Sequence, residues 1–346
     1  MTFPHRFRPA LLSLLVISLG AVVRAAPALP PPATGEHIVM IGNSLGERMQ
    51  YFGHFETLLH LRYPTEKLFI RSMSQSGDTP AYRPRAGRET QWAFAGAEKY
   101  RPEFAMHLGK GFYPSDDEWL TLNKADTIYA FFGFNESFDG PSRVQNYADE
   151  VAAFVDHTLT QQYNGHSAPR VVLISPIAFE DLSAKRDLPN GVKENANLKL
   201  YTEAMRKVAT TKGVGFVDLF TPTTAWYAAE KAPLTINGAH LNEEGYRRLA
   251  PYLADALYGT RATVSHASPE LLRQMVNEKN WFWMNDYRVV NGVHVYGRRH
   301  TPFGNKNYPE EIEKIRQMTA LRDEKLWELA QHSTTDLAVD DSHTRA

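Results

Sequence analysis

The chain of 346 residues contains no cysteine. That absence excludes disulfides, thiolate metal sites, a cysteine nucleophile and the lipidated cysteine of a bacterial lipoprotein. An excess of one charge is missing too. There are 38 Lys and Arg against 39 Asp and Glu, a formal net charge of -1, so no global field favours nucleic acid or an anionic membrane. Neither H-E-x-x-H, G-x-G-x-x-G nor a phosphate loop with a following Lys-Ser/Thr occurs, so neither a metal nor a cofactor is expected. What remains is ordinary globular composition, 43% hydrophobic and 22% charged, enough for one large domain with an appendage.

The N-terminus carries Arg6 and Arg8, an apolar run from Ala10 to Val23, and small residues around Ala25. That order is the order of a secretory signal peptide, and the run falls short of the ~20 residues that span a bilayer. Export to the periplasm or the medium is expected, with residues 1–25 removed and no stable membrane anchor left. The Pro-rich stretch that follows reads as a linker over residues 26–36.

Downstream, apolar runs at His37 to Gly42, Lys67 to Met73, Asp126 to Phe132, Arg170 to Pro176 and Gly215 to Leu219 read as strands. Helical periodicity lies between them, over Leu45 to Tyr63, Val144 to Tyr163, Val192 to Lys212 and Asn242 to Leu257. Such alternation predicts a parallel sheet with helices on both faces, a three-layer α/β/α sandwich. Ligands of such sheets bind beyond the carboxyl ends of the strands. The segment Tyr82 to Leu122 has no clean period and is expected to be a lid or side wall. Residues 259–332 form a mainly helical, aromatic extension, and residues 333–346 are expected to be disordered.

Four short blocks fall at the expected strand ends. Ser44, in Gly42-Asn43-Ser44-Leu45, sits at a strand-to-helix turn, where unpaired amides favour negative charge; taken alone it reads as a helix N-cap. Gly77 follows the second strand and would alone be an ordinary turn glycine. Asn135 leaves a strongly apolar strand in Gly133-Phe134-Asn135-Glu136, and His240 lies in the compact turn Asn237-Gly238-Ala239-His240-Leu241. A serine needs a base and oxyanion donors to become a nucleophile, and these blocks hold candidates for each.

Together, in this order over roughly residues 37–257, they resemble the GDSL/SGNH hydrolase family. The resemblance implies a flavodoxin-like sheet and a carboxylic-ester hydrolase. It also implies Ser44 as nucleophile, His240 as base, and an oxyanion hole from the amides of Ser44 and Gly77 and the side chain of Asn135. A small ester or an acylated glycan is the expected substrate, with O-acetyl groups on a polysaccharide as one candidate.

Two departures stand out. Asn43 replaces the aspartate beside the nucleophile, and Asn237 stands where the family's aspartate would orient the histidine. In serine proteases the equivalent Asp-to-Asn change lowers turnover by about ten-thousand-fold through the wrong imidazole tautomer. Three accounts stay open: a Ser-His dyad with Asn237 accepting from the ring, a substitute carboxylate from Asp78, Glu136 or Glu180, or a catalytically impaired carbohydrate-binding protein. The substitute carboxylate is the favoured expectation. Trp281, Phe282 and Trp283, with Arg298, Arg299 and His300, could make a glycan platform, but packing of the extension is the preferred reading.

Overall fold

Continuous apolar runs become strands where both faces are buried. In the computed structural model, which describes residues 26–104, 111–306, 308–332 and 334–345, the five runs form β1 (His37–Gly42), β2 (Phe69–Ser72), β3 (Thr127–Phe131), β4 (Arg170–Ile174) and β5 (Gly215–Val217). All pairings are parallel, in the order β2-β1-β3-β4-β5. The expected signal peptide lies outside the described residues. Among the described residues no helix is long and apolar enough to cross a membrane.

The helices are α1 (Ser44–Phe52), α2 (His54–Arg62), α3 (Asp116–Leu122), α4 (Val144–Leu159), α5 (Val192–Lys212), α6 (Phe220–Ala229) and α7 (Glu243–Tyr258). Beyond them come α8 (Pro269–Tyr287), the short α9 (Gly292–Val295) and α10 (His300–Phe303), and α11 (Tyr308–Gln331). Alternate strand residues feed two cores. Ile38, Met40, Tyr129, Val172 and Ile174 pack with Phe55 and Leu59 of α2 and Leu249 and Leu253 of α7. Val39, Ile41, Ile128, Ala130 and Leu173 pack with Val151 and Phe154 of α4 and Tyr201 and Met205 of α5. The three-layer sandwich is therefore present, and its strand order is the flavodoxin-like one.

Several local expectations change. The helix expected from residue 45 to 63 breaks at Gly53, which adopts φ +70° and donates its N–H to the Met49 carbonyl, a left-handed cap that suits glycine. The 26–36 stretch is not a free linker: Ala28 and Leu29 donate backbone N–H bonds to Ala256 and Leu257, and buried Glu36 pairs with Arg170. The tail expected to be disordered is held at Asp341 by both terminal nitrogens of Arg322, at 2.5 and 2.8 Å. Among its described residues, the 82–122 segment places none on the cavity at the strand ends. Neither a lid nor a side wall of that cavity, it is built on buried Arg88–Asp116 and Arg85–Asp78 pairs and joined to the extension where the Phe112 amide donates to the Tyr296 carbonyl.

The extension has a clear physical task. β2 is an edge strand, and an edge presents unpaired backbone groups. The Leu68 carbonyl just before it and its alternate carbonyls at Ile70 and Ser72 accept from Trp327 Nε1 (3.1 Å), Lys279 Nζ (2.9 Å) and Trp283 Nε1 (2.7 Å). Lys279, fully buried, is neutralised by Glu56 at 2.7 Å. Trp283 is thus a packing residue and not a platform, whereas Trp281 is exposed. Trp283→Ala is expected to lower stability by ~3–5 kcal/mol, the usual cost of a buried aromatic; urea unfolding followed by circular dichroism checks this.

Candidate active site

The site begins where β1 ends. Gly42 has φ +119°, and a Cβ there would lie 2.1 Å from the Phe131 carbonyl oxygen, so only glycine fits. Asn43 donates its N–H to that same oxygen at 2.9 Å, and its side chain accepts from the Leu45 amide at 3.1 Å. Asn43, not Ser44, is therefore the helix N-cap. Ser44 becomes the first residue of α1, with an amide that has no intrahelical acceptor.

Ser44, Asn135, Asn237 and His240 line one cavity of about 330 Å³ beyond the carboxyl ends of β1, β3 and β4. Its remaining wall is largely apolar: Phe131, Phe132, Phe134, Phe138, Ile177 and Phe179, with Glu194 of α5 among the polar exceptions. Asn135 donates from Nδ2 to the Asp78 carbonyl at 3.0 Å, tying the β3 loop to the β2 loop. Gly77, with φ +90°, lies on the exposed turn between Gln75 and Asp78 and does not line the cavity. That turn meets the nucleophile candidate through its neighbour: Ser44 Oγ donates to Ser76 Oγ at 2.9 Å. Among the described residues no hydrogen bond joins Ser44 to His240.

His240 is oriented by Asn237. The Asn237 Oδ1 accepts from the amides of Ala239 (3.2 Å) and His240 (3.0 Å), and sits 3.0 Å from ring Nδ1. Two backbone donors can be met only by oxygen, so the carboxamide cannot present its NH2 to the ring without losing both bonds. Nδ1 must then carry the ring proton, and Nε2 keeps its lone pair. Burial, reinforced by the charge of Arg48 and opposed by that of Glu47, lowers the His240 pKa.

The three carboxylates expected as substitutes are committed elsewhere, which corrects that expectation. Asp78 is fully buried and clasped by Arg85 at 2.8 and 2.7 Å. Glu136 accepts from the Gly133 amide at 2.8 Å, and burial and the nearby charge of Glu150 raise its pKa to about 8. Glu180 accepts from the amides of Leu234 and Thr235 and from the Thr235 hydroxyl; it braces the loop that carries Asn237 and His240 without bonding the ring. Among the described residues no group of three or more His, Cys, Asp or Glu is placed to hold a metal.

One carboxylate at the site was missed. Glu47, one turn along α1 from Ser44, accepts from the amide and the hydroxyl of Ser76 at 2.5 and 2.6 Å and is paired with Arg288. Its i,i+3 spacing from Ser44 was the available signal.

The fold and the cavity define a class: an open, doubly wound α/β sheet with hydroxyl, amide and imidazole groups gathered beside its switch point between β1 and β3. Sequence comparison narrows this, because the GDSL-like lipase/acylhydrolase family matches residues 50–248, more than half of the chain. The chain belongs to that family. The matched stretch contains Gly77, Asn135, Asn237 and His240 and starts after Ser44.

No curated protein matches the sequence. Solved structures with a similar fold include a catalytic mutant of an acetylxylan esterase from Geobacillus stearothermophilus, 15% identical, covering 67% of this chain and 99% of that one with a TM-score of 0.47. Another is a GDSL-like lipase from Parabacteroides merdae, 15% identical over 66% of this chain and 98% of that one, with a TM-score of 0.46. A third, a gut microbial diltiazem-metabolizing enzyme, is 15% identical with a TM-score of 0.47; the match covers 67% of this chain and 49% of that one.

The ring assignment has a direct check. His240, identified in NMR spectra by its loss in His240→Ala, is expected to titrate below the ordinary value of about 6.5. Asn237→Asp should move it upward, because a carboxylate beside Nδ1 favours the charged ring.

Proposed function

We propose that the chain is an exported serine esterase that cleaves a carboxylic ester with Ser44 as nucleophile and His240 as base. The observation that carries this reading is the Asn237 Oδ1 arrangement, which leaves His240 Nε2 unprotonated in the cavity that Ser44 lines. It favours the dyad account over both the substitute carboxylate and the impaired binder.

In the reaction, Ser44 Oγ turns from Ser76 towards Nε2, gives it the proton and bonds to the ester carbonyl carbon. The carbonyl oxygen takes the negative charge, with the Ser44 amide and Asn135 Nδ2, both on the cavity, as its donors; the Gly77 amide, off the cavity at rest, would join them only if its turn moves inward. Collapse breaks the bond to the alkoxide, which leaves with the proton from His240; water then repeats the sequence on the acyl-enzyme. Asn237 accepts from Nδ1 throughout. Without a full charge there, the imidazolium formed in each step is stabilised less than in an Asp-containing triad.

The phenylalanine-rich wall suits an ester with an apolar acyl group, and an acetylated glycan remains within the same chemistry because acetyl is the smallest such group. Residues 1–25 would direct the chain to the periplasm or the medium. On p-nitrophenyl acetate and butyrate, Ser44→Ala and His240→Ala are each expected to lower kcat by about a thousand-fold or more, with unchanged circular dichroism. A wild-type rate that survives in either variant contradicts the assignment.

A further inference from the structure

The side chain of Asn135 is held by a network that begins in the C-terminal extension. Its Nδ2 donates to the Asp78 carbonyl at 3.0 Å, and among the described residues this is its one side-chain hydrogen bond. A carboxamide nitrogen carries two hydrogens. The bond therefore sets the amide plane, turns nitrogen rather than oxygen towards Asp78, and leaves the second N–H uncommitted on a residue that lines the cavity. The Asp78 carbonyl is not free to turn. Asp78 donates its own N–H to the Gln75 carbonyl, and its fully buried carboxylate is gripped by Arg85 Nη1 at 2.8 Å and Nη2 at 2.7 Å. Arg85 is locked in turn: Nη1 also donates to the Pro84 carbonyl, Nη2 to the Met73 carbonyl, and Nε and Nη2 to the Tyr287 hydroxyl at 3.1 and 2.9 Å. Tyr287, the last residue of α8, is itself buried; its ring stacks on Trp283 and its carbonyl accepts from the Tyr113 hydroxyl at 2.5 Å.

We propose that Asp78, Arg85 and Tyr287 are positioning residues that hold the Asn135 amide as an oxyanion donor, so that the C-terminal extension supports the reaction without touching a reacting atom. The proposal rests on the serine-esterase reading. Its physical basis is preorganisation: a donor already fixed in place costs no reorientation when charge develops on the ester oxygen. A bidentate Arg–carboxylate pair fixes geometry as well as supplying energy, and here both partners are buried. Were the grip on Asp78 released, its carbonyl could rotate, and the Asn135 amide would lose the one bond that sets its plane. Three separate segments meet in this buttress. The turn after β2 brings Asp78, the segment that follows brings Arg85, and α8 brings Tyr287 from outside residues 50–248 that the family matches. Asp78 thus serves the site through its backbone carbonyl and not through His240.

The test is a pair of double-mutant cycles on p-nitrophenyl butyrate, with folding followed by circular dichroism. Tyr287→Phe removes one hydroxyl and keeps the Arg85–Asp78 pair; Asp78→Asn removes the charge that Arg85 grips. Each is made alone and together with Asn135→Ala, and Tyr287→Phe carries the cycle if Asp78→Asn does not fold. Asn135→Ala alone is expected to lower kcat about a hundred- to thousand-fold, the scale of one lost oxyanion donor. With Asn135 present, Tyr287→Phe should lower kcat roughly three- to ten-fold and Asp78→Asn more, with KM little changed; with Asn135→Ala neither should lower it beyond about two-fold, because the donor they position is gone. The side-chain amide signals of Asn135, recognised in proton–nitrogen correlation spectra by their loss in Asn135→Ala, should move in both variants. Equal losses with and without Asn135 overturn the proposal, since the effect is then a general one. A folded Tyr287→Phe with wild-type kcat or unmoved Asn135 signals overturns it as well. A wild type with no Ser44-dependent rate sinks the esterase reading alone, and the Asn135 signals still decide whether Tyr287 holds that side chain.

Discussion

The close approach of β1 to β3 at Gly42 is the constraint on which the site depends. A side chain at this position would collide with the Phe131 carbonyl, which also receives the Asn43 amide. The chain can therefore leave the sheet and enter α1 within two residues, with Asn43 closing the helix end and Ser44 first inside it. On the neighbouring strand, β3 runs out at the same level and delivers Asn135. The strand order reverses between these two strands, where a parallel sheet leaves a crevice for ligand.

The opposite end of the architecture is also governed by unmet backbone groups. Among the described residues β2 has no further strand beside it, and the C-terminal helices supply side-chain donors to the carbonyls of Leu68, Ile70 and Ser72 in place of a ladder. Burying Lys279 for this purpose would be costly on its own, and the pair with Glu56 offsets it. The same extension ends α8 at Arg288, against Glu47. The part of the chain that seals the sheet edge therefore also supplies a charge to the edge of the candidate site.

The sheet and the four side chains that meet at the cavity were legible in the sequence because both are local signals. Buried parallel strands are continuous apolar runs, and Ser44, Asn135, Asn237 and His240 each sit within a few residues of a strand end or helix start. What stayed hidden depends on neighbours far along the chain. Glu47 gains its partners only when Ser76 and Arg288, distant in the chain, fold against it. Asp78 and Glu136 read as free carboxylates until Arg85 and the Gly133 amide claim them. Gly53 looks like a tolerated helix glycine, although a Cβ there would meet Asn277 of α8 at 2.4 Å. The orientation of the Asn237 amide, which distinguishes a useful tautomer from a harmful one, is fixed by two backbone donors that composition and spacing do not reveal.

The proposed esterase stands or falls with activation of Ser44 despite the amide at residue 237. Reaction of the purified protein with a fluorophosphonate probe, followed by peptide mass spectrometry, tests it most directly. A single phosphonyl adduct is expected on the peptide bearing Ser44, formed at a rate that collapses in His240→Ala. An unlabelled protein, or an adduct on another serine, would contradict it.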